Sequence, residues 1–593
     1  QFDANCMMLF ATLGALGLQD YTEAAAVTFL FSISEWLESL ATTRARNALS
    51  AIVQLRPERA NLIDVESGDI IIVPAAALSV GSFVLVRTGD KIPCDGVVVD
   101  GTSAVDESSL TGESRPVRKG PDDKVSGGTI NIGTTPLRVK NVSTANDSAV
   151  SRLIQLVEEA QANRSPTEKM VDRFAKIYTP IVVLLAFSMC TFPWLAGTEA
   201  GKYWTKLGLI TIVIACPCAL IISTPITYVA GLAATAQRGI IVKGGAHLEA
   251  LGRVKKIAFD KTGTLTQGKF ALLHLNILGD RFTREEVMEY LALMESPSSH
   301  PLAIALVQAT RNENVTVNKS LEVLDHSLIE GEGIVGNVGG LTVRVGNARL
   351  FKRVNLFKSI SNTDVDISDT WCKSGGTVGY MSIDDDIVCM YCVQDAAREE
   401  SREVVHAFKL MGIETVMLTG DNRSSALAIG REVGLAEEDI RSELLPKEKL
   451  DIITELRCGN GKGLVLMVGD GVNDAPALAI ADVGVAMGAG AALAMETSDI
   501  TLMDSNLKKL LYSVRMGQKT NRVIIENIAF SFAAKAIVMG FTFAGMASLW
   551  AAIGTDVGAM LVVTLNGMKL LPSKKGTNDL VGYEFDKNEK VLA

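Results

Sequence analysis

The stretch Val254 to Thr266, Val-Lys-Lys-Ile-Ala-Phe-Asp-Lys-Thr-Gly-Thr-Leu-Thr, decides the fold of this chain. Its first residues end in the apolar run Ile257-Ala258-Phe259 and predict a β-strand. Asp260 follows at the carboxyl end of that strand, where open α/β sheets place their ligands. A carboxylate at such a point can serve as a covalent nucleophile. We therefore predict a parallel α/β domain with a reactive aspartate at Asp260.

Two further predicted strands end in polar residues of the same kind. Leu464 to Val468 leads into Asp470 and Asp474, two carboxylates four residues apart that suit a hard cation with oxygen ligands. Glu414 to Leu418 leads into Thr419-Gly420-Asp421, where a hydroxyl and an open backbone amide can hold phosphoryl oxygens. Because the carboxyl ends of parallel strands meet at one edge of a sheet, these loops predict a phosphoryl-transfer site.

The chain also carries long apolar segments. It has 593 residues, 48% of them hydrophobic, and a mean hydropathy of +0.25, which is high for a soluble protein of this length. We expect a multi-pass membrane protein. The apolar stretches long enough to consider as membrane helices are roughly 5–18, 23–41, 176–196, 206–230, 523–546 and 549–572.

Composition excludes two classes of protein. The formal net charge of −10 argues against a nucleic-acid partner. The nine cysteines are scattered and do not form a disulfide framework. Cys389 and Cys392 form a C-x-x-C pattern, but positions three apart on a strand face opposite ways, so we expect them to be structural.

Thr111-Gly112-Glu113 lies between the second and third apolar stretches, in a segment of about 120 residues rich in Val, Ile, Thr and Gly. This tripeptide, the Asp260 string and the two later loops occur in the order typical of the P-type ATPases, which the chain resembles over almost its whole length. The resemblance implies a multidomain membrane protein: an α-helical transmembrane bundle, a β-rich actuator domain, a haloacid-dehalogenase-like α/β phosphorylation domain and an inserted α+β nucleotide-binding domain. The implied boundaries are 1–48 (two transmembrane helices), 49–165 (actuator), 166–236 (two transmembrane helices), 237–268 and 394–520 (phosphorylation domain), 269–393 (nucleotide-binding domain), 521–572 (two transmembrane helices) and 573–593 (polar tail).

The same resemblance implies catalytic roles. Asp260 would be phosphorylated by ATP with Mg²⁺ as cofactor, Lys449 would neutralise the transferring oxygens, and Glu113 would position or deprotonate the hydrolytic water. The other residues implied at the catalytic centre are Lys261, Thr262, Thr111, Gly112, Thr419, Gly420, Asp421, Asp395, Arg398 and Asn473. The residues implied to hold Mg²⁺ are Asp260, Thr262, Asp470 and Asp474.

The inserted domain is expected to bind ATP. A histidine such as His300 can hydrogen-bond to adenine or stack on it, and glycines let the backbone approach a ligand. The resemblance implies a nucleotide site made of Glu295, His300, Pro301, Gly331, Gly333, Gly336 and Asn347.

Cys216-Pro217-Cys218 lies inside the fourth apolar stretch. Proline removes a helical hydrogen bond, so local unwinding can turn both thiols toward one ion. Soft thiolates select zinc, cadmium, lead or monovalent copper over magnesium and calcium. Lys535 and Asp556 lie in the last two apolar stretches, where charges are costly and normally functional, although a plain buried ion pair is the alternative.

The pair of Lys535 and Asp556 resembles the zinc/cadmium/lead group of the family, because an acidic ligand beside two thiolates suits a divalent cation better than cuprous copper. The implied metal ligands are Cys216, Cys218 and Asp556, with Lys535 as a built-in counter-ion. Glu35 aligns with an acidic residue proposed to line the exit path, or is an interfacial residue.

We therefore expect a monomer that exports Zn²⁺, with Cd²⁺ and Pb²⁺ as further candidates, at the expense of ATP. Its catalytic domains would be cytosolic, in the plasma membrane or an organelle membrane. The alternatives are a copper(I) pump and a membrane-anchored haloacid-dehalogenase-type phosphatase. The family normally has two further helices ahead of the first one seen here, so a truncated chain is expected.

Overall fold

The computed structural model describes residues 4–50, 57, 59–64, 69–111, 115–145, 147–148, 151, 163–215, 218–298, 300–313, 315, 321, 323–329, 332–421, 423–458, 463–470, 474–488, 496–544, 546 and 549–571. The helices in chain order are α1 Ala4–Gly17, α2 Tyr21–Ser50, α3 Ser108–Thr111, α4 Pro166–Thr191, α5 Thr198–Ala215, α6 Cys218–Ala236, α7 Gly245–Leu251, α8 Arg284–Glu295, α9 Pro301–Asn312, α10 Ala348–Arg353, α11 Asn362–Lys373, α12 Ser401–Leu410, α13 Arg423–Val433, α14 Pro446–Cys458, α15 Ala475–Ile480, α16 Leu507–Phe543 and α17 Leu549–Met568. The strands are β1 Arg59–Ile63, β2 Ile70–Pro74, β3 Phe83–Val86, β4 Gly96–Asp100, β5 Ser103–Asp106, β6 Val117–Lys119, β7 Lys124–Val125, β8 Ile130–Asn131, β9 Leu137–Asn141, β10 Ile240–Val242, β11 Val254–Asp260, β12 Thr266–Ile277, β13 Val323–Ile329, β14 Gly333–Val338, β15 Leu341–Gly346, β16 Thr377–Ile383, β17 Asp386–Ala397, β18 Glu414–Leu418, β19 Ile440–Arg441, β20 Leu464–Gly469, β21 Val483–Met487 and β22 Ile500–Leu502.

The chain divides into two compact units. The first unit comprises Gln1–Arg253, Asp499–Asp504 and Tyr512–Ala593, and the second comprises Val254–Ser498 and Ser505–Leu511. The first therefore contains the apolar helices and the segment with Thr111, and the second contains Asp260.

Four spans are long and apolar enough to cross a membrane: Pro166–Ala196, Thr198–Ala236, Leu507–Phe543 and Ala551–Met568. The second of them runs over Cys216 and Pro217, which lie outside the described residues. Helices α1 and α2 lie where the first two spans were expected, but α1 has only 14 residues. The apolar part of α2 is limited to Tyr21–Ile33, because charged residues follow it. Helices α1, α2, α5 and α17 share one apolar core, in which Val27, Val213 and Ile553 are fully buried.

The third predicted span begins earlier than its apolar run. Helix α4 starts at Pro166 rather than near residue 176, because the side chain of Ser165 accepts a hydrogen bond from the backbone N of Glu168 and caps the helix. Proline at the first helical position suits this start, since its missing N–H needs no partner there. The first turns are polar, so the apolar pattern could not reveal them.

Between α2 and α4 the first unit forms a β-domain. Its larger sheet has the strand order β2-β1-β3-β9-β4-β7, with antiparallel pairing, and a small sheet has the order β6-β5-β8. Alternate residues of β3 and β9 point inward, so Val84, Leu137 and Val139 are fully buried while their neighbours are not.

In the second unit, strands β21-β20-β11-β18-β19 form a parallel sheet with β11 at its centre. The register pairs Asp260 with Leu418 and Phe259 with Val468. The loops that follow β11, β18 and β20 therefore leave the same edge of the sheet, as predicted.

A six-stranded antiparallel sheet, β12-β17-β16-β15-β14-β13, is inserted between β11 and β18. One face packs on α8 and α9 around Leu291, Met381 and Cys389, and the other packs on α10 around Phe351 and Tyr380. Burial raises the pKa of the Cys389 thiol to about 12, which agrees with a structural role for this cysteine.

Candidate active site and membrane metal site

Asp260 is the last residue of β11, the central strand of the parallel sheet. The chain then turns through residues 261–265, where Gly263 has a φ of 74°. This left-handed conformation favours glycine, which has no Cβ to clash with the backbone. A Cβ on Gly263 would lie 3.5 Å from Cβ of Asp470, so the turn brings Asp470 close to the loop that follows Asp260.

Lys449, on α14, joins two of the predicted carboxylates. Its Nζ lies 2.7 Å from Oδ1 of Asp260 and 2.9 Å from Oδ1 of Asp474. Burial and the negative charge of Asp474 raise the pKa of Asp260 to about 7, against the opposing charge of Lys449. Burial alone would lower the pKa of Lys449, but the attraction of the two carboxylates outweighs it and the pKa is raised. The ammonium group of Lys449 therefore binds two carboxylates, one at the end of β11 and one at the start of α15.

The loop after β18 reaches the residue next to Asp260. Lys261 forms an ion pair with Asp421. Thr419 is buried, and its hydroxyl accepts a hydrogen bond from the backbone N of Asp421 at 3.1 Å. A Cβ on Gly420 would approach the carbonyl oxygen of Leu444 to 3.1 Å, so glycine fits this tight turn. The structure thus brings Thr419, Gly420 and Asp421 together with Lys261.

Asp395 and Arg398 hold the backbone of the loop after Asp260. Arg398 donates from Nε to the carbonyl oxygen of Thr264 at 2.9 Å and from Nη2 to that of Gly263 at 2.8 Å. Asp395 is 3% exposed and accepts a hydrogen bond from the hydroxyl of Thr266. Arg398 therefore acts on residues 263 and 264 of the turn, and Asp395 acts on the residue that follows it, Thr266.

Within the described residues, no three His, Cys, Asp or Glu side chains group closely enough to hold a metal ion by themselves. The carboxylates expected to hold Mg²⁺ nevertheless lie close together, since Lys449 bonds both Asp260 and Asp474, and Asp470 lies against Gly263, three residues after Asp260. Thr262 is half-buried in the same loop with an extended backbone, while Asn473 lies outside the described residues.

In the inserted domain, Glu295 is the last residue of α8, and burial raises its pKa to about 7. His300 is exposed and forms the N-cap of α9, where its Nδ1 accepts a hydrogen bond from the backbone N of Leu302 at 3.2 Å. Pro301 occupies the first position of that helix.

The predicted glycines allow close packing at β14. A Cβ on Gly333 would lie 2.6 Å from Cα of Gly346 on the paired strand, and one on Gly336 would lie 3.2 Å from Sδ of Met294, the neighbour of Glu295. Asn347 caps α10, and its backbone N donates to the carbonyl oxygen of Glu332. Gly331 lies outside the described residues.

The predicted membrane charges form a direct ion pair. Lys535 on α16 donates from Nζ to Oδ1 of Asp556 on α17 at 2.7 Å, and to the carbonyl oxygen of Ile214 on α5 at 2.9 Å. The side chains of Lys535 and Asp556 are 21% and 11% exposed, and they line a cavity of about 10 Å³. Ile214 lies two residues before Cys216 in the sequence.

Several predicted residues fall outside the described parts of the chain. Cys216 is one of them, and Cys218 is described only by its backbone, at the start of α6. Gly112 and Glu113 are also outside, whereas Thr111 is the last residue of α3, and its hydroxyl bonds the carbonyl oxygen of Glu107 at 3.0 Å. Glu35 is an exposed residue of α2.

Comparison with known proteins agrees with this arrangement. Residues 254–482 match the family of haloacid dehalogenase-like hydrolases, and residues 54–158 match the P-type ATPase actuator domain. A probable cadmium-transporting ATPase of Alkalihalophilus pseudofirmus is 40% identical over 97% of this chain and 79% of its own length. This chain belongs to the cadmium/zinc-transporting P-type ATPases. The match thus confirms the family that the motifs predicted.

Two further relatives define the extent of the match. The ATPase is 41% identical to the cadmium/zinc-transporting ATPase HMA2 of Oryza sativa subsp. japonica over 96% of this chain, but it spans only 52% of that relative. It is also similar to the crystal structure of a zinc-transporting PIB-type ATPase in the E2.Pi state, with 34% identity, a TM-score of 0.62 and coverage of 96% of this chain and 90% of the other. These similarities confirm the predicted membrane-embedded multidomain architecture, whereas the assignments of individual site residues stay predictions.

Sequence reasoning missed residues that support the site of this ATPase. Thr266 bonds Asp395, and the hydroxyl of Ser401 donates to the carbonyl oxygen of Leu265 at 2.7 Å. In the actuator domain, Nζ of Lys119 lies 3.0 Å from the carboxylate of Glu107. Thr266 is the last residue of the stretch Val254 to Thr266, so its position could have indicated this role. Ser401, Glu107 and Lys119 lie in no motif that would have indicated theirs.

Proposed function

We propose that this ATPase exports a soft divalent cation from the cytosol, with Zn²⁺ as the first candidate and Cd²⁺ and Pb²⁺ as further cargoes. One observation carries the proposal: Lys535 bonds Asp556 and, at 2.9 Å, the carbonyl oxygen of Ile214. A charge pair among membrane helices is costly and is normally retained for function. Ile214 precedes Cys216 by two residues in the sequence, which supports a cargo site that combines both thiolates with Asp556.

The chemistry of this donor set favours a divalent cargo. Thiolates prefer soft ions, and a carboxylate adds negative charge that a 2+ ion offsets better than a 1+ ion does. Lys535 has no free electron pair while it is protonated, so we assign it a counter-ion role. It would neutralise Asp556 after the cargo has left. A copper(I) ion carries a single positive charge, so it would offset the added charge of Asp556 less well.

Phosphorylation of Asp260 is the proposed step that couples ATP to transport. An oxygen of the Asp260 carboxylate forms a bond to the γ-phosphorus of ATP, the bond from that phosphorus to the β–γ bridging oxygen breaks, and ADP leaves. Lys449 reduces the repulsion between the carboxylate and the phosphoryl oxygens. Lys261 and Thr419 are the further groups that we expect to face these oxygens, while Arg398 keeps the loop in position.

The cluster of Asp260, Asp470 and Asp474 fits a magnesium ion. Its donors are hard oxygens, and Asp260 and Asp474 both bond the single ammonium group of Lys449, so two carboxylates meet one positive charge there. The residues that would hold the ion are Asp260, Thr262, Asp470 and Asp474. When bound, Mg²⁺ would neutralise charge on the phosphoryl oxygens.

Hydrolysis of the phosphoenzyme completes the proposed cycle. Glu113 accepts a proton from the attacking water, whose oxygen bonds the phosphorus. The bond between phosphorus and Asp260 breaks, inorganic phosphate leaves, and the carboxylate is restored. We further propose that the ATPase is a monomer whose catalytic domains are cytosolic, and that ATP binds at Glu295, His300, Pro301, Gly331, Gly333, Gly336 and Asn347.

Metal-stimulated ATP hydrolysis in lipid vesicles tests the function. We expect stimulation of the wild-type protein by Zn²⁺, Cd²⁺ or Pb²⁺ but not by Mg²⁺ alone. Asp556→Ala should lose the stimulation, and Asp260→Asn should lose all hydrolysis. Thr191→Ala is the control, because this exposed residue of α4 bonds only carbonyl oxygens of its own helix among the contacts found and does not line the cavity of Lys535 and Asp556. Stimulation by Cu⁺ alone would favour the copper pump, and hydrolysis indifferent to every soft metal would favour the phosphatase.

A further inference from the structure

Helix α4 leaves most of its surface uncovered. Only Val171, Thr179 and Ala186 of its 26 residues are buried. Another side of the helix carries exposed apolar side chains at helical spacing, which form one continuous row. This apolar row consists of Met170, Phe174, Ile177, Ile181 and Leu184. Because α4 lies in a span that is long and apolar enough to cross a membrane, we expect the apolar row to face lipid chains.

A row of basic side chains borders the apolar row over the first turns of α4. This basic row consists of Lys169, Arg173 and Lys176, and all three are exposed. Each stands one position before a residue of the apolar row, and successive residues of a helix are about 100° apart around its axis. The basic row therefore runs beside the apolar row and at the same height.

The acidic residues of this segment face a third side of the helix. Glu168 and Asp172 each stand one position before a residue of the basic row, and both pair with Arg164, at 3.9 and 2.9 Å. Among the residues that the structure describes, no ion pair joins the basic row to a carboxylate. The basic row thus presents positive charge that α4 itself does not neutralise.

The start of α4 is held in place by its neighbours. The carboxylate of Glu249 on α7 accepts hydrogen bonds from the backbone N and the hydroxyl of Thr167, at 3.1 and 2.9 Å. The same carboxylate pairs with Arg253 at 3.2 Å, so that arginine, unlike the basic row, already has an anionic partner. The basic row lies on a fixed backbone, and a ligand would not have to order the helix in order to bind.

We propose that the basic row and the apolar row together bind a phospholipid with an anionic headgroup, on the side of the membrane from which α4 enters. The headgroup lies against the three basic side chains, and the acyl chains follow the apolar row. Attraction to an anionic lipid surface strengthens binding by about fivefold for each Lys or Arg near it. A soluble anion would use the basic row alone. The proposal does not depend on phosphorylation of Asp260.

Quenching of a local tryptophan tests the lipid site. Met170→Trp places a reporter in the apolar row beside the basic row, and the emission of the parent protein is subtracted. Phosphatidylcholine vesicles contain a brominated lipid as the quencher, either phosphatidylglycerol or phosphatidylcholine in equal amounts. We expect phosphatidylglycerol to associate at least about fivefold more strongly at the reporter, and higher ionic strength should reduce this preference. Phe541→Trp, at an exposed position of α16 with no Lys or Arg from 536 to 548, should show no preference.

Variants without the charges assign the preference to α4. With the Met170→Trp reporter, Lys169→Gln/Arg173→Gln should remove most of the preference for phosphatidylglycerol. Lys519→Gln/Arg522→Gln removes two exposed charges from α16 and should leave the preference within about twofold.

Three outcomes would overturn the site. The first is equal quenching by the two lipids in Met170→Trp, and the second is an equal loss of preference in both double variants. The third is relief of the quenching by soluble glycerol phosphate, which would indicate an anion site without a lipid. If a double variant does not fold, the response of Met170→Trp to ionic strength decides, because a preference that salt leaves unchanged is not due to the basic row.

Discussion

The ammonium group of Lys449 lies 2.7 Å from Oδ1 of Asp260, although the two residues are 189 positions apart in the chain. Lys449 also bonds Asp474, so its loss would leave two buried carboxylates without this cation. Lys449→Met should therefore reduce the rate of phosphoenzyme formation by about 100- to 1000-fold, the size typical for loss of one electrostatic donor at a reacting centre. Acid-stable labelling with radioactive ATP measures this rate.

Lys447→Met provides the control for that experiment, because Lys447 is exposed on the same helix two residues away. It should phosphorylate at the wild-type rate. Equal rates in the two variants would contradict an electrostatic role for Lys449.

Arg398 gives a second prediction, because it donates hydrogen bonds to two backbone carbonyl oxygens of the loop after Asp260. Arg398→Ala should slow phosphoenzyme formation by about 10- to 100-fold, because the loop would lose its fixed position. The KM for ATP should stay near its wild-type value, since the predicted nucleotide residues lie on other elements. Arg402→Ala, an exposed arginine on α12, should change neither quantity, and a KM effect of Arg398→Ala alone would refute loop positioning.

The catalytic residues differ in how well the sequence predicted them. Asp260 follows an apolar strand, so its position at the sheet edge followed from local pattern alone. The pairing of Lys449 with that residue depends on how α14 packs on β20, the neighbour of β11, and only the family resemblance suggested it. The role of Arg398 could not be predicted, because its acceptors are backbone carbonyl oxygens, which every residue carries.

The contact of Gly239 with Thr111 is a stronger example. Seventeen glycines among the described residues have a positive φ, and nothing in the sequence distinguishes Gly239 as the one whose Cβ would lie 2.7 Å from the carbonyl carbon of Thr111. Likewise, the start of α4 at Pro166 depends on a cap by Ser165, which hydropathy does not report. The sequence predicts roles that depend on the chemistry of a side chain. It does not predict close contacts between backbone segments that are distant in the chain.

Glu295 should make the inserted domain sensitive to pH. Burial raises its pKa to about 7, above the ordinary value of 4.5, so the folded state favours the protonated form. The stabilisation of the folded state by protonated Glu295 is fully present below pH 4.5 and is lost as the pH rises through about 7. Hydrogen exchange of β17 in nucleotide-free protein should accordingly become faster between pH 5 and pH 8, after correction for the intrinsic exchange rate. Glu295→Gln should remove this dependence, and an unchanged pH profile in the variant would assign the effect to another group.

The ion pair of Lys535 and Asp556 predicts that the double variant Lys535→Ala/Asp556→Ala is more stable than Lys535→Ala. Removing one partner of a buried pair leaves an uncompensated charge and costs about 3–5 kcal/mol, whereas removing both can be nearly neutral. Lys535→Ala should therefore lower the free energy of unfolding in mixed micelles by about that amount, and Lys535→Ala/Asp556→Ala should restore most of it. Titration with a denaturing detergent measures the free energy of unfolding of the wild type, Lys535→Ala and the double variant.

The same variants separate stability from transport. Lys535→Ala keeps Asp556 and both cysteines, so it should still bind Zn²⁺, but it should lose phosphate more slowly from the phosphoenzyme because Asp556 has no counter-ion after the cargo leaves. Lys535→Ala/Asp556→Ala should be stable yet unresponsive to Zn²⁺. If the double variant is as unstable as Lys535→Ala, or still responds to the metal, the pair is neither the charge balance nor the cargo site that its geometry indicates. A plain structural ion pair would instead give a stable double variant with normal stimulation by Zn²⁺.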